Sequence, residues 1–155
     1  MSRLITRKGP GERVPEDRSP NDMLTPHEVS EFLGVSLRAL QVWDEAVSSV
    51  VGPPASHFTS STVRYHWGDL LAWLDEHYEG DPGVDRGGDR LLRRQAVAEM
   101  VGVDLKTLER WQSGQVGGPP VVRISRTTVR YWEADVVTWA RSLHERRVPR
   151  VGPGR

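Results

Sequence analysis

The residues of this chain best suited to chemistry are a patterned set of cations, Lys106, Arg110, Arg123, Arg126 and Arg130, with Thr107 beside them. Leu105, Leu108 and Trp111 recur at helical spacing, so one face of that segment turns inward while Lys106, Glu109 and Arg110 turn out. Further on, Thr128-Val129-Arg130-Tyr131 alternates like a strand, with Val129 and Tyr131 on one side and Thr128 and Arg130 on the other. No acid lies between Val121 and Tyr131. Guanidinium and ammonium groups in this arrangement bind phosphate through charge, and arginine pairs bidentately with acceptor-rich base edges. That is recognition rather than bond making. No nucleophile lies in a catalytic signature, and Gly117-Gly118-Pro119 reads as a turn, not a phosphate loop. The five histidines lack ligand spacing and cysteine is absent, so no catalytic residue, cofactor or metal site is expected.

These residues belong to the second copy of an internal repeat. With an offset of 68, Leu24, Val29, Glu31, Gly34, Val35, Leu37, Leu40 and Trp43 fall on Leu92, Val97, Glu99, Gly102, Val103, Leu105, Leu108 and Trp111. With an offset of 66, Gly52-Pro53-Pro54 falls on Gly118-Pro119-Pro120, Thr62-Val63-Arg64-Tyr65 on Thr128-Val129-Arg130-Tyr131, Asp69 on Asp135, and Trp73 on Trp139. A turn between Trp43 and Gly52 absorbs the two-residue change. Each copy, about 50 residues, is expected to be one small domain used twice. Small domains need large core side chains, and four of the six tryptophans hold matched positions.

Twenty-one bases balance twenty-one acids over 155 residues, but the balance is local. Residues 24–79 carry two arginines against eight carboxylates, a net of −6, whereas residues 91–147 carry ten bases against six acids, a net of +4. Copy one is acidic and copy two basic. No apolar run approaches 18 residues and no signal-peptide pattern appears. A cytoplasmic protein with no membrane partner is therefore expected.

The elements that must position the cations can be read in order. Residues 1–23 mix prolines and both charge signs and read as a disordered arm. Residues 24–79 form copy one, and Gly-rich residues 80–90 read as a flexible linker spanning roughly 17–20 Å. Residues 91–147 form copy two, and 148–155 are a basic tail. Thr25-Pro26-His27-Glu28 is a capping box that should start a helix. Gly34 should end it, and Ser36 should cap a second helix carrying Leu37, Leu40 and Trp43. In copy two Gly102 and Asp104 take these roles, while Arg93 stands where Thr25 stood and makes a weaker cap. Ala55–Phe58 with Thr62–Tyr65, and Val121–Ile124 with Thr128–Tyr131, read as hairpins, each followed by a third helix.

This ordered string resembles the MerR-like, excisionase-type winged helix-turn-helix family: a first helix, Gly-Val-Ser or Gly-Val-Asp, Leu-x-x-Leu-x-x-Trp, Gly-Pro-Pro, Val-Arg-Tyr, an aspartate and a tryptophan, occurring twice. The resemblance covers about two thirds of the chain. It implies a mainly α fold with small β-hairpins, as two tandem winged helix-turn-helix domains. It also implies binding of double-stranded DNA, with the second helix in the major groove and the wing on the adjacent minor groove or its phosphates.

Lys106, Thr107 and Arg110 are then the expected base and phosphate contacts of the helix, and Arg123, Arg126 and Arg130 those of the wing. Copy one offers only Arg38, Gln41 and Arg64 for the same purpose, beside acidic Asp44 and Glu45. The expected function is that of a non-enzymatic, sequence-specific DNA-binding protein, a transcription regulator or an excisionase-like recombination directionality factor, open to self-association on DNA. Two alternatives stand beside it. One is an adaptor whose acidic copy one docks an integrase, a polymerase subunit or copy two of another molecule. The other is a phage DNA-packaging recognition subunit.

Overall fold

Thr25 starts the first helix as its residue type demands. The Glu28 N–H donates to Thr25 Oγ1 at 3.1 Å, and the Thr25 N–H donates to Glu28 Oε1 at 2.9 Å, so two otherwise orphaned donors are satisfied reciprocally. In the computed structural model, which describes residues 12–13, 15–114 and 117–144, this helix is α1 (Pro26–Leu33) and follows a short strand, β1 (Met23–Leu24). Gly34 ends α1 at φ 73°, in the left-handed region where a side chain would be strained. Ser36 caps α2 (Leu37–Asp44) by accepting from the Ala39 N–H at 3.0 Å. β2 (Ser56–Thr59), β3 (Thr62–His66) and α3 (Trp67–Glu76) complete the copy.

The same order recurs as β4 (Leu91–Arg93), α4 (Arg94–Val101), α5 (Leu105–Gly114), β5 (Val122–Arg123), β6 (Val129–Trp132) and α6 (Glu133–Ser142). Gly102 ends α4 at φ 89°, and Asp104 Oδ1 accepts from the Thr107 N–H at 2.8 Å. Arg93 makes no side-chain cap. The matched tryptophans meet in pairs, Trp43 with Trp73 at 6.1 Å between rings and Trp111 with Trp139 at 5.4 Å.

The expected fold class needs correction. The chain does not form two tandem winged helix-turn-helix domains with simple hairpins; it forms six helices and two three-stranded antiparallel sheets, ordered β1-β3-β2 and β4-β6-β5. The third strand of each sheet, β1 or β4, precedes the first helix and was not expected. Its register repeats: Leu24 pairs with Tyr65, and Leu92 with Tyr131. A strand of two or three residues is too short to show alternation in sequence, and only pairing to β3 or β6 makes it one.

The two copies are packed against each other. Val129 and Tyr131 point into the core of copy two, with Leu92, Val97 and Leu108. The opposite face, carrying Leu91, Val122, Ile124 and Trp132, joins the core of copy one, with Phe32, Leu33 and Leu74. All four residues of β6 are buried for this reason. Sheet β4-β6-β5 is thus a shared middle layer, covered on one face by its own helices and on the other by copy one.

The segment expected as a flexible linker is part of this packing. Within residues 80–90, Arg86 and Asp89 are buried, at 4% and 6% exposure. Arg86 lies 4.7 Å from the Trp132 ring and bonds Asp89 and Asp135 at 3.1 Å each, and Tyr78 donates its hydroxyl to Asp135. The described part of the expected disordered arm, though mostly exposed, also makes contacts with the fold. Arg18 covers the Trp67 ring at 5.4 Å, one position beyond the match of Trp132, whose ring Arg86 covers. The Asp22 carbonyl accepts from the Trp67 N–H at 2.9 Å, as the Arg90 carbonyl accepts from the Glu133 N–H at 2.8 Å. Arm and linker are therefore equivalent straps, and the repeat starts several residues before its apolar signature. Residues 1–11 and the tail 148–155 lie outside the described residues.

Candidate nucleic-acid interface

The structure sorts the expected contact residues into committed and uncommitted groups. Arg130 is committed. Its side chain is 9% exposed, and it donates from Nε to the Leu33 carbonyl at 2.7 Å, from Nη2 to the Gly34 carbonyl at 2.7 Å, and from Nη1 to its neighbour Val129 at 2.8 Å. Period-two alternation correctly set it opposite Val129, but that opposite face is covered by copy one rather than by solvent. Burial pushes its pKa down to about 10, with Arg93 and Arg94 adding repulsion. A guanidinium whose donors hold the carbonyls at a helix C-terminus is not free to grip phosphate.

Arg123 is committed in the same sense. Its Nε donates to Glu79 Oε2 at 2.7 Å and its Nη2 to the Gln112 carbonyl at 3.4 Å, and the bond to Glu79 raises its pKa. Its backbone N–H also reaches the His77 carbonyl at 2.8 Å, so this corner of copy two is stitched to the end of α3.

Lys106 and Arg110 stand exposed on α5, four residues apart and so on one face. Arg126 is exposed at the β5–β6 turn, where Ser125 Oγ accepts from the Thr128 N–H at 3.0 Å. None of the three side chains makes a hydrogen bond or ion pair with another described residue. Thr107 is half-buried, its N–H already given to Asp104. Hydrogen bonding from Thr107, by its side chain first and its backbone N–H second, holds the Asp104 carboxyl below its usual range, helped by Arg110 and Lys106. One exposed acid therefore sits among the α5 cations, and Glu109, on the same helix, is paired with Arg94 at 3.3 Å.

In copy one, Arg38 is exposed on α2. Gln41 is exposed but donates to Glu45 at 3.3 Å. Arg64 is half-buried and donates to the Val63 carbonyl at 2.8 Å. Asp44 and His57, 2.8 Å apart, join the end of α2 to β2.

Two arginines with structural partners are not singled out by the sequence, Arg93 and Arg94, the latter paired with Glu109. Arg93 donates to the Gly34 carbonyl at 3.0 Å, alongside Arg130. The one available signal was its position, an N-cap filled by a residue that does not cap.

A cavity of about 470 Å³ lies between Glu79 and Trp111, Gln112, Pro119 and Tyr131. The Tyr131 hydroxyl donates to Gln112 Oε1 at 3.1 Å, and the one carboxylate lining it, Glu79, is held by Arg123. Among the described residues no cluster of His, Asp or Glu is arranged to hold a metal ion, and no helix is long and apolar enough to cross a membrane. Comparison with protein-family models, with curated proteins and with solved structures gives no match to this chain.

Proposed function

We propose that the chain binds double-stranded DNA in a sequence-dependent way, led by the exposed cations of its second half, and acts at the nucleoid as a transcription regulator or an excisionase-like recombination factor. One observation carries the reading. Of the arginines and lysine expected to contact DNA in copy two, those with packing partners, Arg123 and Arg130, account for the joint between copies, while Lys106, Arg110 and Arg126 remain exposed and unpaired among the described residues. Cations with no internal partner on a helix face and at a turn of the same copy fit the electrostatic footprint of a phosphate ligand. The ordered string shared with MerR-like proteins supports the same reading. Arg38 extends it to copy one, which the tight joint between copies carries along with copy two.

The experiment is fluorescence anisotropy of labelled duplexes, drawn from a random pool and titrated across salt concentrations. Binding should weaken steeply with salt. Lys106→Ala and Arg126→Ala should each lower affinity across sequences and reduce the salt slope by about 1, and Arg110→Ala should also relax base preference at about 1–3 kcal/mol. Absence of salt-sensitive binding to any duplex in the selected pool overturns the proposal.

A further inference from the structure

The joint between copies is heterologous: it matches one face of copy one with a different face of copy two. Copy one contributes its helix ends, where Phe32 lies 5.9 Å from the Trp132 ring and the Leu33 and Gly34 carbonyls accept from Arg130. Copy two contributes the outer face of its sheet, with Leu91, Ile124, Arg130 and Trp132. Because the copies repeat, each molecule also carries both faces a second time, and these have no partner copy packed on them among the described residues.

The open sheet face is on copy one. The repeat sets Met23 at the place of Leu91, Phe58 at that of Ile124, Arg64 at that of Arg130 and His66 at that of Trp132. Leu91 and Ile124 are buried, at 0% and 5% exposure, whereas Met23 and Phe58 are exposed at 56% and 58%. Arg64 makes the same local bond to the preceding carbonyl that Arg130 makes, 2.8 Å in each case. The remaining donors of Arg64, those that in Arg130 hold the helix end of copy one, have no partner among the described residues.

The open helix face is on copy two. Met100 stands at the place of Phe32, Gly102 at that of Gly34, Val137 at that of Leu71, and Leu143 at that of His77. Met100, Val137 and Leu143 are exposed at 46%, 42% and 61%. Gly102 is exposed where Gly34 is buried. Half of the large apolar side chains that the described chain leaves exposed thus fall on the two halves of one unused interface.

We infer that the molecule associates head to tail with further copies of itself, the outer sheet face of copy one docking on the α4 and α6 ends of copy two of the next molecule and repeating the joint already made within the chain. Arg64 takes the Val101 and Gly102 carbonyls as Arg130 takes those of Leu33 and Gly34. The copies that meet carry opposite net charge, −6 for the one that offers the sheet face and +4 for the one that offers the helix face. A heterologous contact between identical molecules does not close on itself at two subunits, so the product is an extendable array rather than a symmetric dimer.

The test is light scattering of the full chain over a concentration series, without DNA, so that its outcome is independent of duplex binding. The weight-average mass of the parent should rise with concentration above 17.4 kDa. Phe58→Asp blocks the sheet face and Leu143→Asp the helix face. Each changes an exposed side chain, so each should keep the parent circular dichroism and remain at monomer mass. An equimolar mixture retains one open face of each kind and should form a complex that stops at twice the monomer mass. A parent that stays monomeric at every concentration, single variants that still grow, or a folded mixture that stays monomeric would each overturn the inference.

Discussion

Arg130 separates the two accounts of this chain most sharply, because the sequence pattern makes it a phosphate contact and the fold makes it a brace. Arg130→Ala removes two donors from the Leu33 and Gly34 carbonyls, both at 2.7 Å. Bonds from a charged donor contribute about 1.5–3 kcal/mol each. Two effects reduce the sum: Arg93 still serves the Gly34 carbonyl at 3.0 Å, and removing the guanidinium relieves the desolvation that depresses its pKa. The expected net loss is about 3 kcal/mol, equivalent to a fall in Tm of about 6–12 °C for a chain of this size. Urea unfolding followed by tryptophan fluorescence measures it, since Trp132 and Trp67 lie beside the joint. Duplex binding is measured in parallel, well below the transition. The folded variant should bind duplex as the parent does. An unchanged midpoint together with weaker, salt-flattened duplex binding would refute the structural role and restore Arg130 to the contact surface.

Trp132→Ala should cost about 3–5 kcal/mol, and calorimetry should then resolve two transitions in place of one, because Trp132 is the largest side chain the copies share; a single unshifted transition would count against a common core. Gly102→Ala meets open space and bears only the strain of φ 89°, about 1 kcal/mol, whereas Gly34→Ala, at φ 73° in the buried joint, should cost more. Thermal shifts that reverse that order would contradict the asymmetry between the copies. Burial is the main reason the pKa values of Tyr65, Tyr78 and Tyr131 are pushed up to about 12, and Tyr78 is held further by Asp135. Their folded values lie above the unfolded one, so the stability they contribute is fully present below pH 10 and lost as pH rises from 10 to 12. Arg130, depressed to about 10, acts in the opposite direction over the same range but is one group against three. Tyrosinate absorbance that rises near pH 10 with the protein still folded would contradict the burial argument.

Much of the local structure was legible because its causes are local. The capping box at Thr25, the glycine stops at Gly34 and Gly102, and the Ser36 and Asp104 caps depend on residues within four positions of one another. The tryptophan pairs follow from the repeat. The candidate site was legible only in part: alternation along β6 correctly separated Arg130 from Val129 and Tyr131, but a polar outward face reads the same whether water or another layer covers it. Arg93 illustrates the converse, a residue out of place at an N-cap until the Gly34 carbonyl, 59 positions away, explains it.

The sequence by itself determined that one unit is built twice, where its helices start and stop, and that charge is divided unequally between the copies, since composition and short-range patterns encode these directly. Only the tertiary structure decided that the copies share a core, that the arm and the linker are equivalent straps, and that Arg123 and Arg130 brace the joint. The reason is physical. Contacts such as Arg130 to Leu33, 97 positions apart, arise from which faces remain uncovered once each copy has folded, and no window along the chain contains that information.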